Sequence, residues 1–107
     1  MKKKISIILP YKEIYSQNHA GAASIWVKDY VLLSKLSQET IIYGNLENKL
    51  RPLTKNFKNL TISKNSFSKT REYINSFYKD YLKNDFEIIE IHNRPEYLNF
   101  LIKKKVK

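Results

Sequence analysis

The sequence predicts one α/β domain built on a mainly parallel sheet, and three observations lead there. Its isoleucine-rich runs, "ISIIL", "TIIY" and "EIIEI", are continuous rather than alternating, the pattern of strands buried on both faces. Between them lie longer segments with apolar residues at helical spacing. The order is strand, helix, strand, strand, helix, strand, helix, which suits about four strands joined by crossover helices.

"KISIILP" supplies the first strand over Ile5–Leu9, bounded by lysines and Pro10. A polar loop, "YKEIYSQNHAG", carries the chain to Gly21. "AASIWVKDYVLLSKLS" then reads as a helix with Ser24, Lys28 and Lys35 on one narrow polar stripe. Ala23, Trp26, Val27, Tyr30, Val31 and Leu33 cover most of the rest, which predicts a central helix packed on more than one side. "ETIIYGN" gives the second strand, Thr40–Tyr43, ended by Gly44 and Asn45. Residues 46–59, a polar connection containing Pro52, take no assignment, and "LTIS", 60–63, is the expected third strand.

The second helix is "SKTREYINSFYKDYLKN", with Ser68 as its N-cap. Tyr73, Ile74, Phe77, Tyr81 and Leu82 make its apolar face. "FEIIEI" is the fourth strand. A third helix begins at Pro95, suited to the first helical position, with Glu96 in the first turn and Tyr97, Leu98, Leu101 and Ile102 on its apolar side.

Composition narrows the chemistry. A length of 107 residues suits one small core. With no cysteine, disulfides and thiolate metal sites are excluded, which fits a cytoplasmic protein. Two histidines, His19 and His92, do not make a zinc site. The net charge of +10 favours a polyanionic partner such as an anionic membrane surface. Plain solvation explains the charge better, because most lysines are scattered. "MKKKISIILP" has a basic start, but its apolar run is too short for an export signal, which needs about 7–15 apolar residues. No stretch reaches the roughly 20 residues of a membrane span, so a soluble or peripheral protein is expected.

In open α/β sheets ligands bind outside the carboxyl ends of the strands, near the point where strand order reverses. If the order is 3-2-1-4, the loop before Gly21 and the segment after the fourth strand face one crevice. Gly21 then precedes a helix N-terminus, whose free N–H groups receive phosphate, although the same glycine equally suits a plain strand-to-helix turn. His92 can hydrogen-bond a substrate hydroxyl or stabilise developing charge, or simply satisfy a strand end. Arg94 can pair with phosphate or carboxylate, or be a solvated residue before proline. Asn93 can cap the next helix. Glu90, inside an apolar strand, needs a partner, a lysine or a helix N-terminus. His19 reads as a solvated loop residue. Lys103, Lys104 and Lys105 complement the dipole of the last helix, and Lys2, Lys3 and Lys4 solvate the start of the chain.

Taken together, "KISIILP", "GAASIWVKDYVLLSKL" and above all "IEIHNRP" within "FEIIEIHNRPEYLNFL" resemble the N-terminal half of family 4 glycosyltransferases of the GT-B fold. The resemblance extends over essentially the whole chain. It implies a Rossmann-like domain forming the acceptor-side wall of a cleft, with a second such domain holding most of a nucleotide-sugar donor. It implies sugar transfer with retention of configuration to a glycan or lipid-linked acceptor, without a bound metal or other cofactor. It sets Gly21 near the donor diphosphate and His92, as the catalytic candidate, in the cleft with Asn93 and Arg94 beside it. Separately from the resemblance, the terminal lysines can attract an anionic membrane surface, so a cytoplasmic protein peripheral at the inner membrane face is expected.

Where many such enzymes carry a Gly-Gly pair, this chain has Ala20-Gly21. The paired glutamates of the donor domain have no counterpart here, so the expectation is an incomplete GT-B domain that does not catalyse transfer alone. In that order the fourth strand is an edge, and Trp26 loses part of its cover. The alternative is a small basic module that docks on a partner protein or on nucleic acid. Nucleic acid is disfavoured, because most tyrosines fall on apolar helix faces and no recognition motif is present.

Overall fold

The computed structural model describes residues 4–17, 19–35, 37–47, 50–60, 62, 68–84, 86–92 and 94–104. Its elements are β1 (Ile5–Ile8), α1 (Ala22–Leu33), a 3-10 turn (Ser37–Glu39), β2 (Thr40–Gly44), β3 (Phe57–Asn59), α2 (Lys69–Tyr81), β4 (Ile88–Ile91) and α3 (Pro95–Lys103). The four strands are all parallel and ordered β3-β2-β1-β4. This is the Rossmann-like α/β arrangement that the isoleucine runs predict.

The continuous apolar runs exist because β1 is covered on both sides. Ile5, Ile7 and Leu9 pack with Tyr15, Val27, Val31 and Ile42 beneath α1. Ile8 and Tyr43 pack on the opposite face with Tyr73, Ile74 and Phe77 of α2 and Tyr97 and Leu101 of α3. Ser68 caps α2 by accepting the Arg71 N–H at 3.2 Å, and Pro95 opens α3, both as the sequence predicts.

Two expectations need correction. The third strand lies at Phe57–Asn59, not at 60–63. Leu60 is buried and its N–H bonds to Gly44 O at 2.7 Å, one step beyond the strand; Thr61 and Ser63 lie outside the described residues. A strand reading "FKN" carries no apolar signal because it is an edge held by side chains. Phe57 stacks on Tyr15 at 5.6 Å, Asn59 accepts the Leu46 N–H at 2.7 Å, and Lys58 pairs with Asp80 of α2.

The first helix, moreover, packs on one side only. Its buried residues are Ser24, Val27 and Val31, so Ser24 belongs to the packed face and not to a polar stripe. That face needs a small residue where α1 meets the loop, and the Ser24 hydroxyl donates to Ile14 O at 3.5 Å. Ile25, Trp26, Tyr30, Leu32 and Leu33 are exposed, because α1 covers β1 and β2 and no described element lies beyond it. Leu82, Leu98 and Ile102 are likewise exposed instead of completing the apolar faces of α2 and α3.

Tyrosines tie the layers at the carboxyl end of the sheet. The Tyr73 hydroxyl donates to Leu9 O at 2.6 Å, and the Tyr97 hydroxyl accepts the Tyr11 N–H at 3.1 Å. Helices α2 and α3 therefore fix the start of the loop that leads to α1.

Candidate functional site

The carboxyl ends of β1 and β4 lie side by side. Ile8 pairs with Ile91, and the His92 N–H donates to Ile8 O at 3.2 Å. Residues paired across a parallel sheet share a face. Glu90 pairs with Ile7 and Ile88 with Ile5, both beneath α1, so Ile88, Glu90 and His92 face the α1 side. Helix α1 starts at this end, and the Trp26 ring in its second turn lies 5.4 Å from the His92 ring, tilted by 54°. His92 and the Gly21 end of α1 thus lie at the same, carboxyl-terminal end of the sheet, linked through Trp26.

The Glu90 carboxylate lies 2.8 Å from His92 Nε2. The carboxylate accepts from Nε2–H, so Nε2 is the ring nitrogen engaged by Glu90 and Nδ1 is the other. Glu90 therefore finds its partner in His92, correcting the expected lysine or helix terminus. The sequence hid this because a strand brings i and i+2 to one face, whereas searches for partners favour distant charges.

At Gly21 the structure supplies a residue the sequence reading passed over. The Glu13 carboxylate accepts the N–H of Gly21 at 2.9 Å and that of Ser24 at 3.3 Å. A carboxylate complements the positive end of a helix dipole, so Glu13 satisfies the N–H groups that a phosphate would otherwise meet. A Cβ at position 21 would lie 3.0 Å from Glu13 Oε2, a tight contact that the flexible carboxylate must shift slightly to admit. The signal available in the sequence was a lone acid in a loop that ends at a helix.

Arg94 is not gathered with His92. It occupies the N-cap of α3, the place expected of Asn93, and lines a groove of about 420 Å³ with Ile89, Ile91, Pro95 and Leu98. Ile89 and Ile91 belong to the α2/α3 side of the sheet. The Arg94 guanidinium lies 3.6 Å from Glu96, and its Nε is buried with no hydrogen-bond partner among the described residues. Asn93 lies outside the described residues, as do Lys2, Lys3 and Lys105. His19 is exposed in the first loop. Among the described residues no group of three or more His, Cys, Asp or Glu gathers as a metal site, and no helix is long and apolar enough to cross a membrane.

A second polar cluster joins β2 and β3 to α2. The Tyr43 hydroxyl donates to Asp80, which also pairs with Lys58 and accepts from Asn84 at 3.4 Å. Burial works to raise the Asp80 pKa, but the bonds from Lys58 and Tyr43 outweigh it and hold it below the usual carboxylate value. Burial first, then the hydrogen bond to Asp80 and last the Asp80 charge push the Tyr43 phenol well up. Burial does the same for Tyr73. These groups hold α2 to the sheet and carry no sign of catalysis.

No family model matches the chain, and neither a curated protein nor a solved structure matches it.

Proposed function

We propose that these residues form the acceptor-side wall of a retaining glycosyltransferase that moves a sugar from a nucleotide-sugar donor to a glycan or lipid-linked acceptor. One observation supports it above the rest: His92, bonded to Glu90 and lying against Trp26, stands at the carboxyl end of the strands where β1 and β4 meet. In this reading Nδ1 of His92 meets an acceptor or donor hydroxyl, and Glu90 fixes the ring. Gly21 keeps the approach to the α1 N-terminus open for a diphosphate, which Glu13 must vacate. Donor binding falls mainly to a second domain, and no metal is required. Anionic membrane lipid attracted by the net positive charge brings the acceptor within reach.

A transfer assay tests this. The protein as its natural host makes it is incubated with mixed nucleotide sugars and host glycan and glycolipid extract, and products are read by mass spectrometry. Addition of one glycosyl residue, lost in His92→Ala, supports the reading. Transfer that survives His92→Ala, or no transfer in any mixture, counts against it.

The open edge of β4 favours a second reading, docking on a partner protein. Ile88 is 54 % exposed on the α1 side of this edge, and Leu98 and Ile102 of α3 are more than half exposed on its other side. Recovery of a stable complex whose contacts map to β4 and α3, with no sugar transfer, would favour docking.

A further inference from the structure

The exposed side of α1 is chemically ordered. Trp26 is 53 % exposed and Tyr30 40 %. Their rings lie 5.3 Å apart with planes only 5° from parallel. Trp26 in turn meets His92 at 5.4 Å, so Tyr30, Trp26 and His92 make a row that climbs toward the carboxyl end of β4. Glu90, bonded to His92 at 2.8 Å, sets a charged acceptor at the polar end of that row. Ile25, Leu32 and Leu33 are also exposed on α1, and Trp26 and Tyr30 are the residues that form the row reaching His92. Flat rings beside a carboxylate and an imidazole match a ligand with an apolar face and a polar rim.

A pyranose is such a ligand. Its axial C–H groups are positively polarised and favour the negative face of an aromatic ring, while its hydroxyls point outward in the ring plane. Ligand sites commonly combine apolar and aromatic walls with a few convergent polar groups. We propose that Tyr30, Trp26, Glu90 and His92 form a pyranose subsite, the sugar lying along the aromatic row and its hydroxyls bonding to the Glu90 carboxylate and His92 Nδ1. The subsite deepens the acceptor-side reading and rests on it for its place in a reaction, although sugar binding itself can be measured without transfer. Tyr30 and Trp26 act here by holding the sugar and not by chemistry.

Trp26 is the sole tryptophan among eight tyrosines, so emission excited selectively at the red edge of tryptophan absorption reports this row. The 107-residue protein is titrated with methyl glycosides of glucose, galactose, mannose and N-acetylglucosamine, with sorbitol as an acyclic control of similar polarity. At least one pyranoside is expected to give a saturable shift, on the order of millimolar, that sorbitol does not. Tyr30→Ala, at an exposed position, is expected to weaken it about fivefold. Glu90→Gln is expected to weaken it as well. No saturable shift with any pyranoside, an equal shift with sorbitol, or a Trp26 shift that tracks protein concentration without sugar would each overturn the subsite. Binding without any sugar transfer by the native protein would leave the subsite standing and remove the transferase reading. Transfer with an inert Trp26 would do the reverse.

Discussion

Glu13 holds Gly21: its carboxylate accepts the glycine N–H at 2.9 Å and reaches Ser24 at 3.3 Å, so the first turn of α1 is capped from within the preceding loop. The helix has neither a side-chain cap from its own N-cap residue nor an acid in its first turn, and Glu13 fills both roles. Glu13→Ala is expected to lower stability by about 0.5–2 kcal/mol, the usual range for a lost cap. Urea unfolding checks this. Glu13→Gln keeps an acceptor oxygen and removes the charge, so it is expected to recover part of the stability and to bind a nucleoside diphosphate more tightly than the native protein. Isothermal calorimetry with uridine and guanosine diphosphates measures the second effect.

Gly44 closes β2 against an aromatic ring. A Cβ at this position would lie 2.8 Å from Phe57 Cε1, and Phe57 is stacked on Tyr15. The ring cannot yield without disturbing that stack. Gly44→Ala is therefore expected to cost about 1–3 kcal/mol, typical of overpacking. Thermal unfolding of this variant beside Gly44→Ala/Phe57→Leu checks the cause, since the smaller side chain is expected to relieve most of the loss.

Much of the fold was legible in the residues, because the strongest signals coincide with the most buried elements. Strand β1 and the Pro95 start of α3 follow directly from "ISII" and "RPE". Strand β3 was not legible, since an edge strand held by Asn59, Phe57 and Lys58 needs no apolar run. The apolar circumference of α1 suggested burial on several sides, but hydrophobicity does not say whether a neighbour is present, and Trp26 and Tyr30 stand exposed. At the site, the placement of His92 beside β1 followed from strand order, whereas Glu13 and Glu90 required knowing which way two short-range side chains turn.

Asp80 makes stability depend on acid. Its folded pKa lies below the ordinary value of 3.8, so its contribution is fully present above that value and is lost as pH falls through the lower folded pKa. Tyr43 and Tyr73 act in the opposite sense. Their raised pKa values mean a contribution present below the ordinary value of 10.0 and lost as pH climbs above it. Urea midpoints measured across pH are expected to fall at both ends. In Asp80→Asn the acid limb is expected to flatten, at a cost in stability near neutral pH because Lys58 loses its partner.

Tyr97 anchors the first loop from α3 by accepting the Tyr11 N–H at 3.1 Å. Tyr97→Phe removes that acceptor and is expected to cost about 0.5–1.5 kcal/mol. Hydrogen exchange at the Tyr11 amide is expected to quicken selectively, while amides in β1 and β2 keep their protection.

The most direct measurement is an NMR titration of backbone amides and the His92 ring with a panel of nucleotide sugars and short glycans. If the ends of β1 and β4 and the start of α1 form one sugar-handling crevice, perturbations gather at Gly21, Ser24, Trp26, Glu90 and His92, and the ring signal responds at Nδ1. Perturbations confined to α2 and α3, or none with any member of the panel, would contradict it.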